Sequence, residues 1–405
     1  MFNKGNLILL GFSVVFCLYS FELVLYASKT FWYSEHSLAS KKRIQAALAQ
    51  GEDFDTRTHL QFIRDNSLVG RMLSPRVPPK EFNKSNGLKA SNGRLFPLGG
   101  VSNSATVYCN NYGEFLLFDS DKWGLRNPAL AHQNNPLDAL IVGDSFSMGH
   151  CVDNDIASLL RLRGMNTVSV AYSGNGPLLE LATLREYGPQ LSPKVVLWLY
   201  YEGNDLWDLG SEMKSSLLMS YLKPGFSQRL SDRQPQVDLL LERYIERTRV
   251  KKLKSTNWSA VARLLATRFL LKKSATKLFG LDKRRMHSGI DLVLFEKILI
   301  RAQTDISSWG GQMYFVYLPE WTRFAETGES KNLLRYRSDV LSLVSKLKIP
   351  TVDITEVLAS AEDPKAYFPY GFRGHYTDEG YAILADQIYK KLNDDDLIPK
   401  RLPIQ

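Results

Sequence analysis

The stretch LIVGDSFSMG at residues 140–149 decides the fold of this chain. Its first three residues form a short apolar run, as buried strands of parallel sheets do, and Gly143 ends that run. The turn that follows would expose the hydroxyl of Ser145 at the edge where open α/β sheets place their ligand sites. The stretch therefore predicts a parallel sheet with a candidate nucleophile at the end of one strand.

Apolar runs and helical periods alternate along the chain after residue 137. The apolar runs predict strands at Leu140–Val142, Thr167–Ala171, Val195–Tyr201, Met313–Leu318 and Thr351–Val352. The helical periods predict helices at Asp155–Arg163, Pro177–Tyr187, Leu292–Trp309, Leu333–Leu347 and Glu379–Leu392. Alternation of this kind predicts a parallel sheet that helices cover on both faces.

Three further motifs follow in order: SGNGP at residues 173–177, EGND at 202–205 and GHYTDEGY at 374–381. They add Gly174, Asn204 and His375 to Ser145. Acyl transfer requires these types: a serine attacks, a histidine moves its proton, and a glycine N–H and an asparagine amide hold the oxyanion. Each residue alone has a simpler explanation, since Ser145 could cap a helix, Gly174 could serve a turn and Asn204 could close an Asx turn. Their joint occurrence favours one site.

The four motifs in this order resemble the SGNH/GDSL hydrolase family, and the resemblance covers about residues 137–392 apart from a basic insertion. It implies a three-layer α/β/α fold and esterase, lipase or O-acetyl-transfer activity on an ester. It also implies that Ser145 is the nucleophile and that His375 is the general base and then acid. The Ser145 N–H, the Gly174 N–H and the Asn204 amide would form the oxyanion hole.

One position departs from the family pattern. The family usually has an aspartate three residues before the histidine, and Phe372 stands there in this chain. The site could therefore work as a Ser–His dyad, take an acid from elsewhere, or be weakened. Candidate acids are Asp353, Glu362, Asp363 and Asp378. His150 competes with His375 as the base, but it lies too near Ser145 in sequence to face it across a pocket.

Three phrases give a narrower resemblance: DKWGLRNP (Asp121–Pro128), LATLREYG (Leu181–Gly188) and VVLWLYYEGNDL (Val195–Leu206). They look like a group of membrane-anchored bacterial proteins associated with exopolysaccharide production. This implies an enzyme that acts on ester-linked acyl groups, chiefly acetyl, of a polysaccharide. The alternative is a non-catalytic polysaccharide-binding or assembly component that keeps the fold.

The N-terminus carries an apolar run of twenty residues, Leu7–Tyr26, whose one charge is Glu22. As a helix it would span about 30 Å, the thickness of a bilayer core. Its length and the lack of small residues before Ala27 favour an uncleaved anchor over a signal peptide, and a buried core helix would be apolar on one face alone. The flanking charges leave its orientation open.

Cys109 and Cys151 are the two cysteines outside the apolar run, which contains Cys17. We expect a disulfide between them, worth about 4 kcal/mol by chain entropy; two unrelated buried thiols are the alternative. A disulfide would place the body outside the cytoplasm, on the periplasmic face of the inner membrane. The sequence has no HExxH motif, no cysteine pair at zinc spacing, no P-loop and no dinucleotide fingerprint, so it predicts neither metal nor cofactor.

The predicted organisation has three parts: an anchor at residues 1–28, a helical stalk and irregular or β lead-in region at 29–136, and the hydrolase-like domain at 137–395. The stalk prediction is one helix over Lys29–Leu73, ended by the prolines of Ser74–Pro79.

A basic helical insertion is predicted at residues 208–289 of the hydrolase-like domain. Between Lys223 and Arg285 it has 17 lysines and arginines against five acidic residues, whereas the whole chain carries +9. Such a segment could bind an anionic lipid surface or an acidic polysaccharide. The alternative is a helix that packs on the domain with its charges solvated. Nucleic acid is a poor partner for an exported chain.

Overall fold

The structure is a computed structural model that describes residues 38–70, 72–133, 136–256, 291–325 and 334–398, with four isolated positions between residues 13 and 20. The predicted anchor Leu7–Tyr26 and the basic segment after Thr256 lie outside the described residues. Within them, no helix has the length and apolar character that crossing a membrane requires.

The chain divides into two compact units. The larger comprises Lys42–Glu246 and Gly289–Gln405, and it contains all the strands of the described residues and every predicted site residue. The smaller comprises Met1–Lys41 and Arg247–Ser288. Its described residues are chiefly the first turn of one helix and the last part of another.

Ten strands form three sheets in the described residues. The strands are β1 (Ser74–Pro75), β2 (Leu88–Ala90), β3 (Gly93–Leu95), β4 (Ala105–Cys109), β5 (Leu116–Asp119), β6 (Ala139–Val142), β7 (Thr167–Ser169), β8 (Val195–Tyr201), β9 (Gln312–Leu318) and β10 (Thr351–Asp353). The main sheet has the order β10-β9-β8-β6-β7 and is parallel throughout. The predicted parallel sheet is thereby confirmed.

Eleven α-helices lie among the described residues. They are α1 (Leu38–Ala49), α2 (His59–Leu68), α3 (Ile156–Leu162), α4 (Pro177–Leu191), α5 (Asp205–Glu212), α6 (Ser216–Met219), α7 (Gln234–Thr256), α8 (Leu292–Ser308), α9 (Arg337–Lys346), α10 (Thr355–Ala359) and α11 (Asp378–Asp394). Helix α4 packs against α5 and α8, and α3 packs against α11. Since parallel crossovers are right-handed, these two groups cover opposite faces of the sheet.

The strands form where apolar residues run without interruption. Every residue of β6 and β8 is buried, as expected for strands that helices cover on both faces. The strand order reverses direction between β6 and β8, so a crevice opens at their carboxyl ends. Polar residues at the helix starts then fix the boundaries: the side chains of Asp155 and Thr377 accept backbone N–H groups at the beginnings of α3 and α11.

The lead-in region corrects one prediction, because the expected helix over Lys29–Leu73 is interrupted. Helix α1 ends at Ala49, Gly51 takes a left-handed φ of +77°, and α2 begins only after Thr58. Thr58 and Gln61 form a capping box, which starts a new helix rather than continuing the old one. A three-stranded sheet, β1-β4-β5, and the β2-β3 hairpin follow.

The first half of the predicted insertion, up to Glu246, packs into the larger unit. Leu218, Tyr221 and Leu241 are fully buried there. Arg185 on α4 donates to the carbonyl groups of Tyr221 and Lys223, which fixes the turn between α6 and α7. Helices α5, α6 and α7 agree with the helical character that the sequence predicts for this segment.

Candidate active site

Ser145 lies in the turn after β6, at the carboxyl edge of the main sheet, and its side chain is half-buried. The Asp144 carboxylate accepts the Phe146 N–H at 2.8 Å, which closes the turn directly around the serine. The cap of α3 is Asp155 rather than Ser145, so the serine has no helix-capping role here. Its hydroxyl donates a long hydrogen bond of 3.4 Å to the Asp144 carboxylate.

His375 meets Ser145 across 230 residues of sequence: the imidazole Nε2 lies 2.8 Å from Oγ. The loop that carries His375 is attached to the segment after β9. Tyr376 donates its hydroxyl to the Pro319 carbonyl at 2.7 Å, and Trp321 donates its indole N–H to the Gly371 carbonyl at 2.9 Å. These bonds explain how a histidine just before α11 reaches the edge of β6.

Glu202, the first residue of the EGND motif, holds the same region together. It is buried and accepts the Tyr317 hydroxyl, the Glu320 N–H and the guanidinium of Arg323. Glu320 in turn pairs with Arg373, two residues before His375. Glu202 therefore positions the histidine loop rather than taking part in the chemistry.

Two aromatic rings contact the imidazole of His375. The centroid of the Phe146 ring lies 4.4 Å from it, and that of the His150 ring lies 4.1 Å from it at an interplanar angle of 25°. Phe146 is itself stacked on Tyr201 at 3.6 Å. Ring packing thus fixes the orientation that a triad aspartate fixes in the usual arrangement.

Within the described residues, no carboxylate bonds to His375. Asp353 pairs with Arg337 and accepts the Thr355 N–H, and Asp363 caps a short 3-10 helix. Glu362 and Asp378 make no bond to His375 either. Phe372 occupies the position of the expected acid, and Lys42 Nζ lies 5.9 Å from its ring centroid. The geometry is that of a Ser–His dyad.

The electrostatic surroundings of His375 are positive. Burial is the main cause that lowers the pKa of His375 to about 3, and the guanidinium groups of Arg76 and Arg43 lower it further. His375 is therefore a neutral imidazole at neutral pH, able to accept a proton. Its basicity is lower than that of an imidazole backed by a carboxylate.

His150, the competing base, lies behind His375 instead of facing Ser145. Its backbone N–H donates to the Tyr381 hydroxyl at 3.2 Å, and its ring contacts Tyr108 edge-on. Burial lowers the pKa of His150 well below its usual value, and His375 and Arg76 act in the same direction. The structure brings His375, and not His150, to the serine.

Gly174 takes a φ of +82°, a conformation that side chains rarely adopt. A Cβ at this position would also lie 2.7 Å from Cε of the flexible Lys80 side chain, which could move away, so the positive φ is the main reason that glycine is required. In the described part of the chain, neither the Gly174 N–H nor the Ser145 N–H donates to a protein group. Both amides are thus available to an oxyanion.

Glu212 holds the loop around Gly174 in place through hydrogen bonds to its backbone. Its carboxylate accepts the N–H groups of Gly176 and Leu178 at 2.6 and 2.9 Å, at the start of α4. Burial raises the pKa of Glu212 to about 8, and nearby Asp208 contributes. The hydrogen bonds from Gly176 and Leu178 lower the pKa of Glu212, but by less than burial raises it.

Asn204 lies at the start of α5, beside the site, but its amide is already bonded. The amide nitrogen donates to the Asp208 carboxylate at 2.7 Å, and Asn204 also lowers the pKa of Asp144. An amide nitrogen has two hydrogens, and the bond to Asp208 uses one of them. To act as the third oxyanion donor, Asn204 must turn its other hydrogen to the substrate or exchange its bond to Asp208 for one to the substrate.

Buried carboxylates surround the serine side of the site. Burial raises the pKa of Asp144 to about 6, and the charge of Asp208 adds to this shift. Burial also raises the pKa of Asp205 well above its usual value, and the charges of Glu180 and Asp144 act in the same direction. Asp205 also accepts the Tyr201 N–H at 2.8 Å, which closes the end of β8. Asp144 lies 3.4 Å from the Ser145 hydroxyl.

The structure joins Cys109 and Cys151 by a disulfide, with their Cα atoms 5.7 Å apart. Cys151 follows His150, so the bond ties the segment after Ser145 to β4. In the described ranges, one group of residues has potential metal-ligand atoms within 4.8 Å of one another, namely Cys109, His150 and Cys151. Its two sulfurs are used by the disulfide, which leaves a single ligand.

Sequence reasoning missed three basic residues at this site: Arg43 on α1, Arg76 after β1 and Lys80 in a short 3-10 helix. They belong to the lead-in region, for which no motif gave a chemical role. Arg76 lies within the proline cluster of residues 74–79, and Lys80 follows it directly. Because prolines restrict the backbone, this cluster indicates an ordered turn, which was the one signal for these two residues. Arg43 lies on a helix whose sequence carries no such signal.

The fold and the site define a class: a parallel α/β protein with a Ser–His pair at the carboxyl edge of its sheet. No family model matches the chain, and no curated protein matches it.

Several solved structures are similar to the chain. They include a lipase/acylhydrolase from Enterococcus faecalis (11% identity, 65% of this chain and 98% of that chain covered, TM-score 0.38). A GDSL-like lipase from Bacteroides thetaiotaomicron (12%, 64% and 88%, 0.35) and an acetyl xylan esterase (11%, 63% and 98%, 0.36) are also similar. At these TM-scores and identities the likeness supports no conclusion about activity, for which the geometry of the site is the evidence.

Proposed function

We propose that this protein is an SGNH-type serine enzyme that transfers an acyl group from an ester. The observation that carries the proposal is the 2.8 Å contact between Ser145 Oγ and His375 Nε2, beside two backbone N–H groups without protein acceptors. A nucleophile, a base and oxyanion donors at one sheet edge are the parts that acyl transfer needs.

The proposed reaction has two stages. Ser145 Oγ attacks the ester carbonyl carbon while His375 Nε2 takes the hydroxyl proton, and the N–H groups of Ser145 and Gly174 hold the oxyanion. The C–O bond to the leaving alcohol breaks as His375 returns the proton to the alcohol oxygen. Water or a sugar hydroxyl then attacks the acyl-enzyme by the same proton transfers, giving hydrolysis or acyl transfer respectively.

We further propose that the acyl group is acetyl and that it is carried by a bacterial polysaccharide. The phrases at Asp121–Pro128, Leu181–Gly188 and Val195–Leu206 support this, because they resemble proteins associated with exopolysaccharide production.

For location, we propose a single membrane anchor at Leu7–Tyr26 with the body on the periplasmic face. The disulfide supports this placement, since such bonds persist in oxidising compartments. The basic segment between Lys223 and Arg285 would then contact an anionic lipid surface or an acidic polysaccharide. Full-length protein should bind anionic vesicles more strongly than neutral ones, and high salt should remove this difference, because insertion of the anchor does not depend on lipid charge.

The experiment that tests the proposed activity compares purified full-length wild type with Ser145→Ala on 4-nitrophenyl acetate. We expect hydrolysis by the wild type and a rate near background for the variant. Ser147→Ala is the matched control, because this neighbouring serine is fully buried and does not face His375. Equal rates in wild type and Ser145→Ala would refute the proposal.

A second candidate function, non-catalytic binding or assembly of polysaccharide, has one observation in its favour. No described carboxylate supports His375, and two arginines weaken its basicity. On this alternative the crevice binds a glycan without turnover. Binding of an acetylated glycan whose acetyl content stays unchanged over days would favour it.

A further inference from the structure

The side chain of Lys80 lies over Gly174, whose N–H is one of the two proposed oxyanion donors. The three heavy atoms nearest to the position that a Cβ of Gly174 would occupy all belong to this lysine: Cε at 2.7 Å, Cδ at 2.8 Å and Nζ at 3.0 Å. Because a Cβ lies about 2.5 Å from the nitrogen of its own residue, the ammonium is within about 5.5 Å of the Gly174 nitrogen. Glycine thus lets the lysine lie against the backbone next to the oxyanion position.

The backbone of Lys80 is fixed, although its side chain is flexible. Lys80 is the second residue of the short 3-10 helix Pro79–Phe82, whose first and last residues are buried. Asn83, which follows this helix, donates its side-chain amide to the Ser211 hydroxyl at 2.8 Å. Ser211 lies on α5, which also carries Asp208. The start of the lysine side chain is therefore held against the helix that borders the oxyanion side of the site.

Lys80 and Asp208 place opposite charges near Gly174. Burial raises the pKa of the Asp208 carboxyl, and the Lys80 ammonium and the Asn204 amide lower it, so the lysine lies close enough to act on the carboxylate. Within the described residues, however, the ammonium forms no ion pair with Asp208 or with another carboxylate, and no carbonyl group accepts a hydrogen bond from it. Its three N–H donors therefore remain available to a substrate.

The charge matters because an oxyanion develops at this point in the proposed reaction. When Ser145 Oγ bonds to the carbonyl carbon, an electron pair of the C=O bond moves to the oxygen, and the Oγ proton passes to His375 Nε2. The oxygen then carries a negative charge, which the negative charge of Asp208 disfavours. A positive charge at Lys80 offsets Asp208, and an ammonium N–H aimed at the oxygen adds a charge-assisted hydrogen bond.

We infer that Lys80 is a further catalytic residue, whose ammonium donates a hydrogen bond to the oxyanion beside the N–H groups of Ser145 and Gly174. This inference deepens the proposed function and rests on it. Lys80 stays protonated throughout, so it takes and gives no proton and acts on the negative charge of the intermediate alone. Because this bond is stronger in the transition state than with the neutral ester, its main effect is on kcat rather than on KM.

The first test compares full-length wild type with Lys80→Met on 4-nitrophenyl acetate. Methionine keeps much of the apolar stem without the charge, and we expect kcat to fall by about 10²-fold with little change in KM. Lys84→Met is the matched control, because this lysine belongs to the same segment and is exposed. Thermal unfolding midpoints near that of the wild type exclude misfolding as the cause. An unchanged kcat in Lys80→Met, or a rise in KM alone, would overturn the inference.

Chemical rescue separates the charge of Lys80 from a structural role of its side chain. Lys80→Cys should lose activity as Lys80→Met does, and alkylation with 2-bromoethylamine should restore kcat to within about tenfold of the wild type, because it gives a side chain of lysine length that ends in an ammonium. Iodoacetamide adds a neutral group of similar size and should restore nothing. Mass spectrometry confirms each modification, and wild type treated in the same way controls for Cys17. Equal rates after the two reagents would overturn the inference.

A double variant decides whether the lysine contacts the oxyanion or acts through Asp208. If Lys80 served only to neutralise this carboxylate, Asp208→Asn would restore the activity of Lys80→Met. We expect instead that Lys80→Met still costs about tenfold or more in kcat when it is added to Asp208→Asn. Full recovery in the double variant would assign Lys80 a role on Asp208 alone and overturn the inference.

Inhibition by phenylboronic acid separates failure of this inference from failure of the proposed function. The boron adds the Ser145 oxygen and becomes a tetrahedral anion that imitates the intermediate. We expect its Ki to rise in Lys80→Met by about the same factor as kcat/KM falls. Equal Ki values in wild type and Lys80→Met, with turnover by both, would refute the role of Lys80 and keep the enzyme. Neither turnover nor a fluorophosphonate adduct on the wild type would refute the proposed function itself, and this inference with it.

Discussion

The two sides of the Ser145–His375 pair have opposite electrostatic surroundings. On the serine side lie buried carboxylates, and burial raises the pKa of Asp144 to about 6. On the histidine side lie Arg43 and Arg76, which together with burial lower the pKa of His375 to about 3. A Ser–His–Asp triad has its acid behind the histidine. In this chain the acids lie beneath the serine and the cations lie behind the histidine.

This difference shows that a Ser–His pair can be held in contact without a carboxylate behind the histidine. The histidine side relies on ring packing by Phe146 and His150 for orientation, and on the loop bonds after β9 for position. The serine side relies on hydrogen bonds that backbone N–H groups donate to buried carboxylates, as Phe146 donates to Asp144 and Tyr201 to Asp205. Changes on the two sides should therefore have effects of different size and kind.

The largest effect is expected on the histidine side, where His375→Ala removes the imidazole that lies 2.8 Å from the Ser145 hydroxyl. We expect a loss of about 10⁴-fold in kcat for 4-nitrophenyl acetate. His150→Ala removes a stacking ring and not the base, so its loss should stay near tenfold. The reverse ranking of the two variants would assign the proton transfer to His150.

A smaller effect is expected on the serine side from Asn204→Ala. If its amide exchanges Asp208 for the oxyanion, kcat should fall by about 10²-fold with little change in KM. Asp208→Ala frees the amide and should leave kcat within about tenfold. A loss in Asp208→Ala as large as that in Asn204→Ala would show that Asn204 serves to hold the carboxylate rather than the oxyanion.

Substitution of the four candidate triad acids should have little effect on the rate, because none of them bonds to His375. Single changes of Asp353, Glu362, Asp363 and Asp378 to Asn or Gln should each cost less than about tenfold, whereas a true triad Asp→Asn costs about 10⁴-fold. Steady-state rates of all four variants, with unfolding midpoints as a control, check this. One variant near the larger figure would identify a remote acid.

The smallest effect is expected in the pH profile of kcat/KM for a neutral ester. His375 is in its basic form at every pH well above its pKa of about 3, so its titration gives no inflection between about pH 5 and 8. Any rise near pH 6 should come from ionisation of Asp144 and should vanish in Asp144→Asn. An inflection near 6.5 that survives in Asp144→Asn would show that His375 titrates normally.

The sequence was sufficient for the parallel sheet and for the residues at its edge. Apolar runs of buried strands are visible without a structure, and carboxyl ends of parallel strands meet at one edge. Ser145 after β6 and Asn204 after β8 could thus be placed together, and His375 could be added from its motif. The capping box at Thr58 and Gln61 was also readable, and it would have divided the expected Lys29–Leu73 helix.

The charged residues on the histidine side could not be foreseen. Arg43 and Arg76 lie far from His375 in sequence, and their approach depends on how α1 and β1 pack, which no local pattern encodes. The bond of Asn204 to Asp208 could not be predicted for a related reason: a motif gives the type and position of a residue but not the partner of its amide. Electrostatic surroundings come from tertiary packing.

The central claim is that His375 activates Ser145, and labelling with a fluorophosphonate tests it most directly because the reagent reacts with activated serines. The account predicts one phosphonyl adduct on full-length wild type, mapped by mass spectrometry to the peptide of residues 140–149 at Ser145. It also predicts loss of the adduct in His375→Ala and its retention in Ser147→Ala. No adduct on the wild type, or an equal one in His375→Ala, would contradict the account.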